Sequence, residues 1–561
     1  MERPTISGEA FGPAVYLETF GCQMNELDSE LVAGHLRALG YRFTDDRTAA
    51  DIVLFNTCSV RQQAENKVLS RIGRLKIEKA EGRRVVLGVL GCLAEREGAR
   101  LLADRPEVDL LCGPGELDRL PMLLDNILKN DVVDQECRMA LQGGKSRRTA
   151  TLAAAEDSLA SLDLSRAFDP DQAGGGGRAA YVRITRGCNK FCTYCVVPNT
   201  RGAEVHRPPD AIVAECKRLA DAGVIEVTLL GQTVNHYVYV HGAAVGADGC
   251  ERDQVGPGLA AFRKADRGGG GRRVTTFADL LARIHEEVPG IQRLRFVTSY
   301  PRDFGDDVLA VMRDAPRICR YLHVPAQSGS DRILKAMNRG YTVAEYMEFI
   351  DRVLGQLPDA GIAGDIIVGF PTETEADFEA TCSLVQSVPF KNNFVFKYSP
   401  RPGTVAIDRL ADDVPEHVKR SRINHLLDLQ SEVSRAVHAR EIGKVHHIFV
   451  EKRGQEMARQ GGVQLGWEEP SVQVSGRTPG DLITVFPVEN RAAADAIIGR
   501  IVPVRVESAA PRLLRGRLVG DPGEHSGGHP EEQGGQAGPG ATGCTAGENL
   551  AVSRIRTLED T

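Results

Sequence analysis

No stretch of this 561-residue chain approaches the ~20 consecutive apolar residues that a membrane-spanning helix needs. Residues Met1 to Gly12 lack the apolar centre of an export signal, so a cytoplasmic, reducing setting is expected. In such a setting disulfides are excluded as a scaffold, and the thirteen cysteines read instead as candidates for ligand duty. Internal repeats of the solenoid type are missing too. There is no excess of positive charge: the formal net charge of −7 excludes bulk attraction to polyanions, so any nucleic-acid surface must be local.

What is there is ordinary globular composition, with enough length for three or four domains at about 150 residues each. Residues 14 to 130 alternate strand-like and helix-like runs. Ala14 to Leu17 opens a strand, and a helix is predicted near Asn25 to Leu39. A strand over Asp51 to Asn56, a helix from Val60 to Lys79 and a strand from Val85 to Leu90 follow. That alternation implies a parallel α/β sheet with helices on its faces. Residues 131–173 read as a linker, the stretch 138–180 being rich in Ala, Ser, Asp and Gly with an amphipathic segment around Leu152 to Leu164. From 174 to 437 a second alternation places strands at 181–185, 225–230, 293–298, 320–324, 362–368 and 392–397. Six β/α units fit an incomplete TIM-like barrel, whose ligands gather at the strand C-terminal ends. Residues 242–273 interrupt it as a surface insertion. Residues 415 to 440 predict a helix with Leu426, Leu427, Leu429 and Val433 on or near one face. Short β-rich runs within 440–519, at 445–451, 471–475, 482–486 and 501–506, suggest a small β-barrel, and 520–561 a disordered tail.

Cys188, Cys192 and Cys195 follow one strand in a C-x3-C-x2-C spacing. A 4Fe-4S cluster ordinarily takes four cysteines, so a local triplet suggests one iron left open for a small molecule. Two plainer readings stand beside it: a structural zinc held by these three and His206, and buried inert thiols. Cys22, Cys58 and Cys92 share another context, each following a predicted strand and standing just before a helix. In an open parallel sheet such positions converge at the strand carboxyl ends. Unrelated buried thiols are the alternative.

The stretches Thr19 to Asn25 (TFGCQMN), Asn56 to Arg61 (NTCSVR), Arg186 to Pro198 (RGCNKFCTYCVVP), His323 to Ser330 (HVPAQSGS), Asp365 to Pro371 (DIIVGFP) and Phe396 to Thr404 (FKYSPRPGT) resemble, in order, the methylthiotransferase family of radical S-adenosylmethionine (SAM) enzymes. The resemblance runs from about residue 14 to 519. It implies an N-terminal methylthiotransferase domain over 14–130, a radical-SAM core over 174–437 and a TRAM barrel over 440–519 that grips tRNA. It also implies two 4Fe-4S clusters, one on Cys22, Cys58 and Cys92, the other on Cys188, Cys192 and Cys195, where SAM binds. The implied reaction is methylthiolation at C2 of N(6)-(dimethylallyl)adenosine at position 37 of tRNA. That C–H bond has no acidic proton, so a radical from SAM opens it and the cofactors carry the hard chemistry. No catalytic residue is assigned beyond the cluster ligands. A flavodoxin or ferredoxin as electron donor, a separate sulfur source and a monomeric state are further expectations. Methylthiolation of threonylcarbamoyl-adenosine or of a ribosomal-protein aspartate is the alternative within the same chemistry, and a zinc-bearing RNA-binding module the alternative outside it.

Gly231, Gln232, Gln327 and Ser328, at predicted strand ends, are candidate SAM contacts, with turn residues as the plainer reading. The sequence departs from the family pattern at Asn199, Thr233 and His236, which puts substrate-pocket detail in doubt. Residues 440 to 520 carry 12 Lys/Arg against 9 Asp/Glu, and Arg512, Arg515 and Arg517 form a candidate phosphate-contacting patch.

Overall fold

The computed structural model describes residues 12–59, 62–130, 133–142, 177–246, 248–256, 273–457 and 471–520. The predicted segment 152–164, the core of the insertion and the tail beyond 520 lie outside them.

The N-terminal sheet has six parallel strands in the order Arg42–Phe43, Ala14–Phe20, Ile52–Thr57, Val86–Gly91, Leu110–Cys112, Met139–Ala140. Its central strands, Ile52–Thr57 and Val86–Gly91, are buried at every position, as expected of parallel strands covered on both faces. Helices Gln23–Ala38 and Gln62–Ala80 follow the first and third strands of the chain. The sheet takes in Met139–Ala140, inside the stretch read as linker. Two residues with no alternation around them leave no strand signal of their own.

The second domain carries the six expected strands: Ala179–Arg183, Glu226–Leu230, Arg293–Phe296, Tyr321–His323, Gly361–Val368 and Phe390–Lys397. They form two parallel three-stranded runs, joined where Leu294 pairs with Ile318. The arc is open between its first and last strands. Capping boxes at Thr276/Asp279, Thr342/Glu345 and Thr374/Asp377 start three of its outer helices. Part of the insertion is folded: Gln254–Val255 pairs antiparallel with Val205–His206. Helix Glu416–Ala439 packs on the last strand through Leu426, with Leu429 and Val433 partly buried beside it. Leu427, expected near the same face, is exposed.

The C-terminal barrel closes in the order Val445–Met457, Ser471–Arg477, Ile483–Val488, Leu513–Leu518, Ile501–Ala510. The strand Leu513–Leu518 is an addition to the runs expected from the sequence: Arg515 and Arg517 occupy its outward positions while Leu514 faces inward, so charge masks its alternation. Among the described residues no helix is long and apolar enough to cross a membrane.

Candidate functional site

The three strands that precede Cys22, Cys58 and Cys92 lie side by side and end level, with Phe20 opposite Thr57 and Thr57 opposite Gly91. The three cysteines thus come together at the carboxyl edge of the sheet. A methyl at Gly21 would collide with the Cβ of Cys58, so the residue ahead of Cys22 is glycine by close approach. Cys22 caps helix Gln23–Ala38, and its thiol donates to Asn25 Oδ1 at 3.1 Å. Asn25 donates in turn to Asn56 Oδ1 at 3.0 Å, and Asn56 donates to Ser29 Oγ at 3.0 Å. This buried amide chain stitches the helix to the neighbouring strand. A hydrogen bond from Cys58 lowers the Cys22 thiol to about 6, and the Arg201 guanidinium adds to the effect. Burial pushes Cys92 the other way.

Cys188, Cys192 and Cys195 sit on the loop after Ala179–Arg183, the first strand of the arc. The loop is fastened at several points: Thr193 N–H donates to Met337 O at 3.0 Å and Asn338 Nδ2 to Phe191 O at 3.0 Å. Phe191 itself takes φ of 50°, a left-handed conformation that this carbonyl bond helps to hold. Lys190 Nζ lies 2.6 Å from Asp303 and 4.1 Å from the Tyr300 ring centroid, while His236 Nε2 lies 2.9 Å from the same carboxylate. Buried Arg339 brings Nη1 to 3.4 Å from Cys192 Sγ. Burial drives the Cys188 thiol up to about 12 and raises Cys195 further.

The donor sets fit iron–sulfur clusters. Each triad offers three thiols and no histidine or carboxylate among them. Burial that raises a free thiol disfavours an unbound thiolate, whereas a metal centre deprotonates its thiol ligands outright. His206, weighed as a zinc ligand, has both ring nitrogens engaged, Nδ1 with Val238 O at 2.8 Å and Nε2 with Glu204 Oε1 at 2.9 Å.

The two triads meet along one segment. Helix Val197–Thr200 begins just after Cys195; Thr200 at its end hydrogen-bonds Cys92, and Arg201 acts on both Cys22 and Cys92. Arg201 also pairs with buried Asp28 at 2.7 Å.

The weaker candidates scatter. A side chain at Gly231 would collide with Thr185 Oγ1, so that glycine answers to a protein contact; Gln232 follows it, half-buried. Gln327, with φ of 69°, donates its N–H to Asp365 O at 2.8 Å. Ser328 accepts from Ser330 N–H at 3.2 Å and faces Thr381, so its hydroxyl serves a turn. Arg512, Arg515 and Arg517 are all exposed on the C-terminal barrel. Of the departures, Asn199 donates to Gly403 O at 2.6 Å and Thr233 lies 3.9 Å from Cys188 Sγ. His236 lines a cavity of about 190 Å3 with Lys190, Glu204, Tyr300 and Arg302. Sequence reading missed Arg339 and Asp303, because each reaches the cysteine loop from far along the chain and neither lies in a motif with a spacing of its own.

The family described as "Uncharacterized protein family UPF0004" matches residues 14–113, and the Radical SAM superfamily matches residues 182–385. The chain is 39% identical over 504 residues to the tRNA-2-methylthio-N(6)-dimethylallyladenosine synthase of Rhodopirellula baltica, covering 90% of this chain and 95% of that one. It is 39% identical over 506 residues to the synthase of the same name from Burkholderia thailandensis, covering 90% and 97%. Among solved structures, the radical SAM methyltransferase TsrM from Kitasatospora setae superposes with a TM-score of 0.44 at 14% identity, over 71% of this chain and 77% of that one. Near-complete coverage by relatives at that identity, together with the radical-SAM match, places the chain in the radical-SAM methylthiotransferase family to which those synthases belong.

Proposed function

We propose that this protein methylthiolates C2 of N(6)-(dimethylallyl)adenosine at position 37 of tRNA, using SAM and two 4Fe-4S clusters. An identity of 39% over 90% of the chain to synthases named for that product supports it. The observation that carries it is the meeting of two cysteine triads along one segment, residues 195–201. Cys22, Cys58 and Cys92 would hold one cluster and Cys188, Cys192 and Cys195 the other. When bound, the clusters and SAM supply reductive radical formation and the sulfur-bearing group.

The protein's own residues position and shield these groups. Arg339 presents a buried cation to Cys192 Sγ, where it favours an added electron nearby. Lys190, Asp303 and His236 pin the cysteine loop to the next strand ends, so the three thiols keep one spacing. Asn25 and Asn56 do the same for Cys22. The C-terminal barrel, through Arg512, Arg515 and Arg517, would contact tRNA phosphates. The domains would run over 14–140, with Met139–Ala140 completing the first sheet, 174–437 and 440–519. A small flavodoxin or ferredoxin would deliver electrons to a monomeric, cytoplasmic enzyme, and a separate donor would restore the sulfur.

Mass spectrometry of tRNA nucleosides from cells with and without this protein tests the reading. The 2-methylthio nucleoside should vanish without the protein, leaving N(6)-(dimethylallyl)adenosine to accumulate. Its persistence refutes the assignment.

A further inference from the structure

The last strand of the open barrel, Phe390–Lys397, exposes two phenylalanines, Phe394 and Phe396. Along Phe390–Lys397, Asn393 donates to Gln430 of the outer helix at 2.7 Å and Val395 packs into the helix-side core. Strand alternation therefore turns Phe394 and Phe396 to the opposite, concave face. Phe394 is 45% exposed and Phe396 36%, an arrangement that hydrophobic burial disfavours unless something covers it. In the adjoining strand Asp365 pairs with Phe394 and Ile367 with Phe396, so these four residues share that face. His323 on the next strand completes the patch. Its Nε2 lies 3.3 Å from Asp365 Oδ1, and its ring meets that of Phe394 edge-on with centroids 6.3 Å apart. Among the described residues the Asp365 side chain makes no other hydrogen bond, so its second oxygen remains for a donor.

This patch is continuous with the cysteine loop. Ile367 packs against the cluster of Phe370 and Tyr398, and Tyr194, between Cys192 and Cys195, joins the same cluster edge-on to Phe370 with centroids 6.5 Å apart. Two aromatic rings, a carboxylate acceptor and direct continuity with that loop fit one ligand chemistry. It is a flat base with an N–H donor beside an apolar tail.

We propose that Phe394, Phe396, Asp365 and His323 form the seat for the prenylated adenine of the substrate nucleoside. The rings take the base and its dimethylallyl group, since stacking on aromatics suits any base face. Asp365 accepts the single hydrogen left on N6. The seat rests on the functional reading above and explains how prenylation is sensed before chemistry. The adenine of SAM shares the ring but lacks the tail, and the test separates the two.

Holoenzyme variants Phe394→Ala and Phe396→Ala, with Phe394→Leu as a milder change, are titrated under anaerobic conditions. The probes are anticodon stem-loops carrying prenylated or plain adenosine, and S-adenosylhomocysteine. Affinity for the prenylated loop should fall about ten- to a hundredfold in the alanine variants. The plain loop should lose far less, so the preference collapses, while Phe394→Leu retains part of it. Full retention of the preference in both alanine variants overturns the seat. So does a loss confined to S-adenosylhomocysteine, which would assign the rings to the cofactor. If the wild-type enzyme itself shows no preference and makes no methylthiolated product, the functional reading fails and the seat with it.

Discussion

Asp481 is the residue whose loss should most disturb the junction between the open barrel and the C-terminal barrel. It lies buried in the turn between Ser471–Arg477 and Ile483–Val488, with φ of 63°. Three cations converge on its carboxylate: Lys391 at 2.5 Å and Arg295 from the open barrel, and Arg477 at 3.0 Å from its own. Replacing it by asparagine keeps the shape and tolerates the left-handed backbone, so charge alone is removed. Lys391 already sits at about 8 because burial opposes its charge, and without the carboxylate it would fall further and shed its proton. The two arginines have no such escape and would stay as buried, uncompensated charges. Breaking a buried pair from one side costs about 3–5 kcal/mol, a large share of the ~5–15 kcal/mol that holds a domain folded. Urea unfolding of Asp481→Asn, followed by a double-mutant cycle with Lys391→Met, measures the loss and the coupling. A loss below about 1 kcal/mol, the range of exposed pairs, would refute the claim that this charge cluster seals the junction.

Replacing Cys192 with alanine should abolish 5′-deoxyadenosine release, whereas Cys58→Ala should spare it and stop sulfur insertion; chromatography of both products checks this, and equal loss of both would dissolve the division of labour. Replacing Arg512, Arg515 and Arg517 with alanine should weaken tRNA binding and flatten its salt dependence by about 0.7–0.9 in logarithmic slope for each arginine that meets a phosphate; an unchanged slope removes the patch. Glu78, held at about 2 chiefly by its hydrogen bonds from Arg47, contributes stability that is complete above about 4.5 and is lost as pH falls through about 2. The gap in unfolding midpoint between wild type and Glu78→Gln should therefore close over that window, and a gap independent of pH would show that the carboxylate charge is not its source.

Cys188, Cys192 and Cys195 stood out by their spacing alone, whereas the convergence of Cys22, Cys58 and Cys92 at one sheet edge was legible because strand-to-helix junctions carry strong local signals: apolar runs, a small residue, then a helix start. The six barrel strands were legible for the same reason, and each lies within a few residues of its expected place. Met139–Ala140 was not, since a two-residue edge strand is defined by its neighbour Leu110–Cys112 alone. Leu513–Leu518 hid behind its arginines. A strand with one face in a barrel and the other in water alternates apolar and charged residues, and Arg512 to Arg517 was read for charge before period. The residues around the site were invisible for a deeper reason. Arg339 to Cys192 and Lys190 to Asp303 join loops far apart in the chain, and Phe394 meets His323 across the strand between theirs, so only the assembled arc brings them together.

Contacts between the two domains account for how two sheets hold their thiols toward one place. Helix Gln23–Ala38 starts at Cys22 and carries Asp28, which pairs with Arg201 just beyond the first strand's cysteine loop. Helix Gln62–Ala80 starts just after Cys58 and carries Glu65, which pairs at 2.8 Å with Arg401 just beyond the last strand. The N-terminal domain therefore grips both ends of the open arc, and does so through the same helices whose first turns adjoin its thiols. All four charges are buried, so sliding the domain would strand a charge at one end or the other at a cost of about 3–5 kcal/mol. Surface attraction would tolerate such sliding. Two buried pairs at opposite ends of the arc set a single docking position, and that position fixes the distance between the two sets of sulfurs more tightly than either domain's packing could alone.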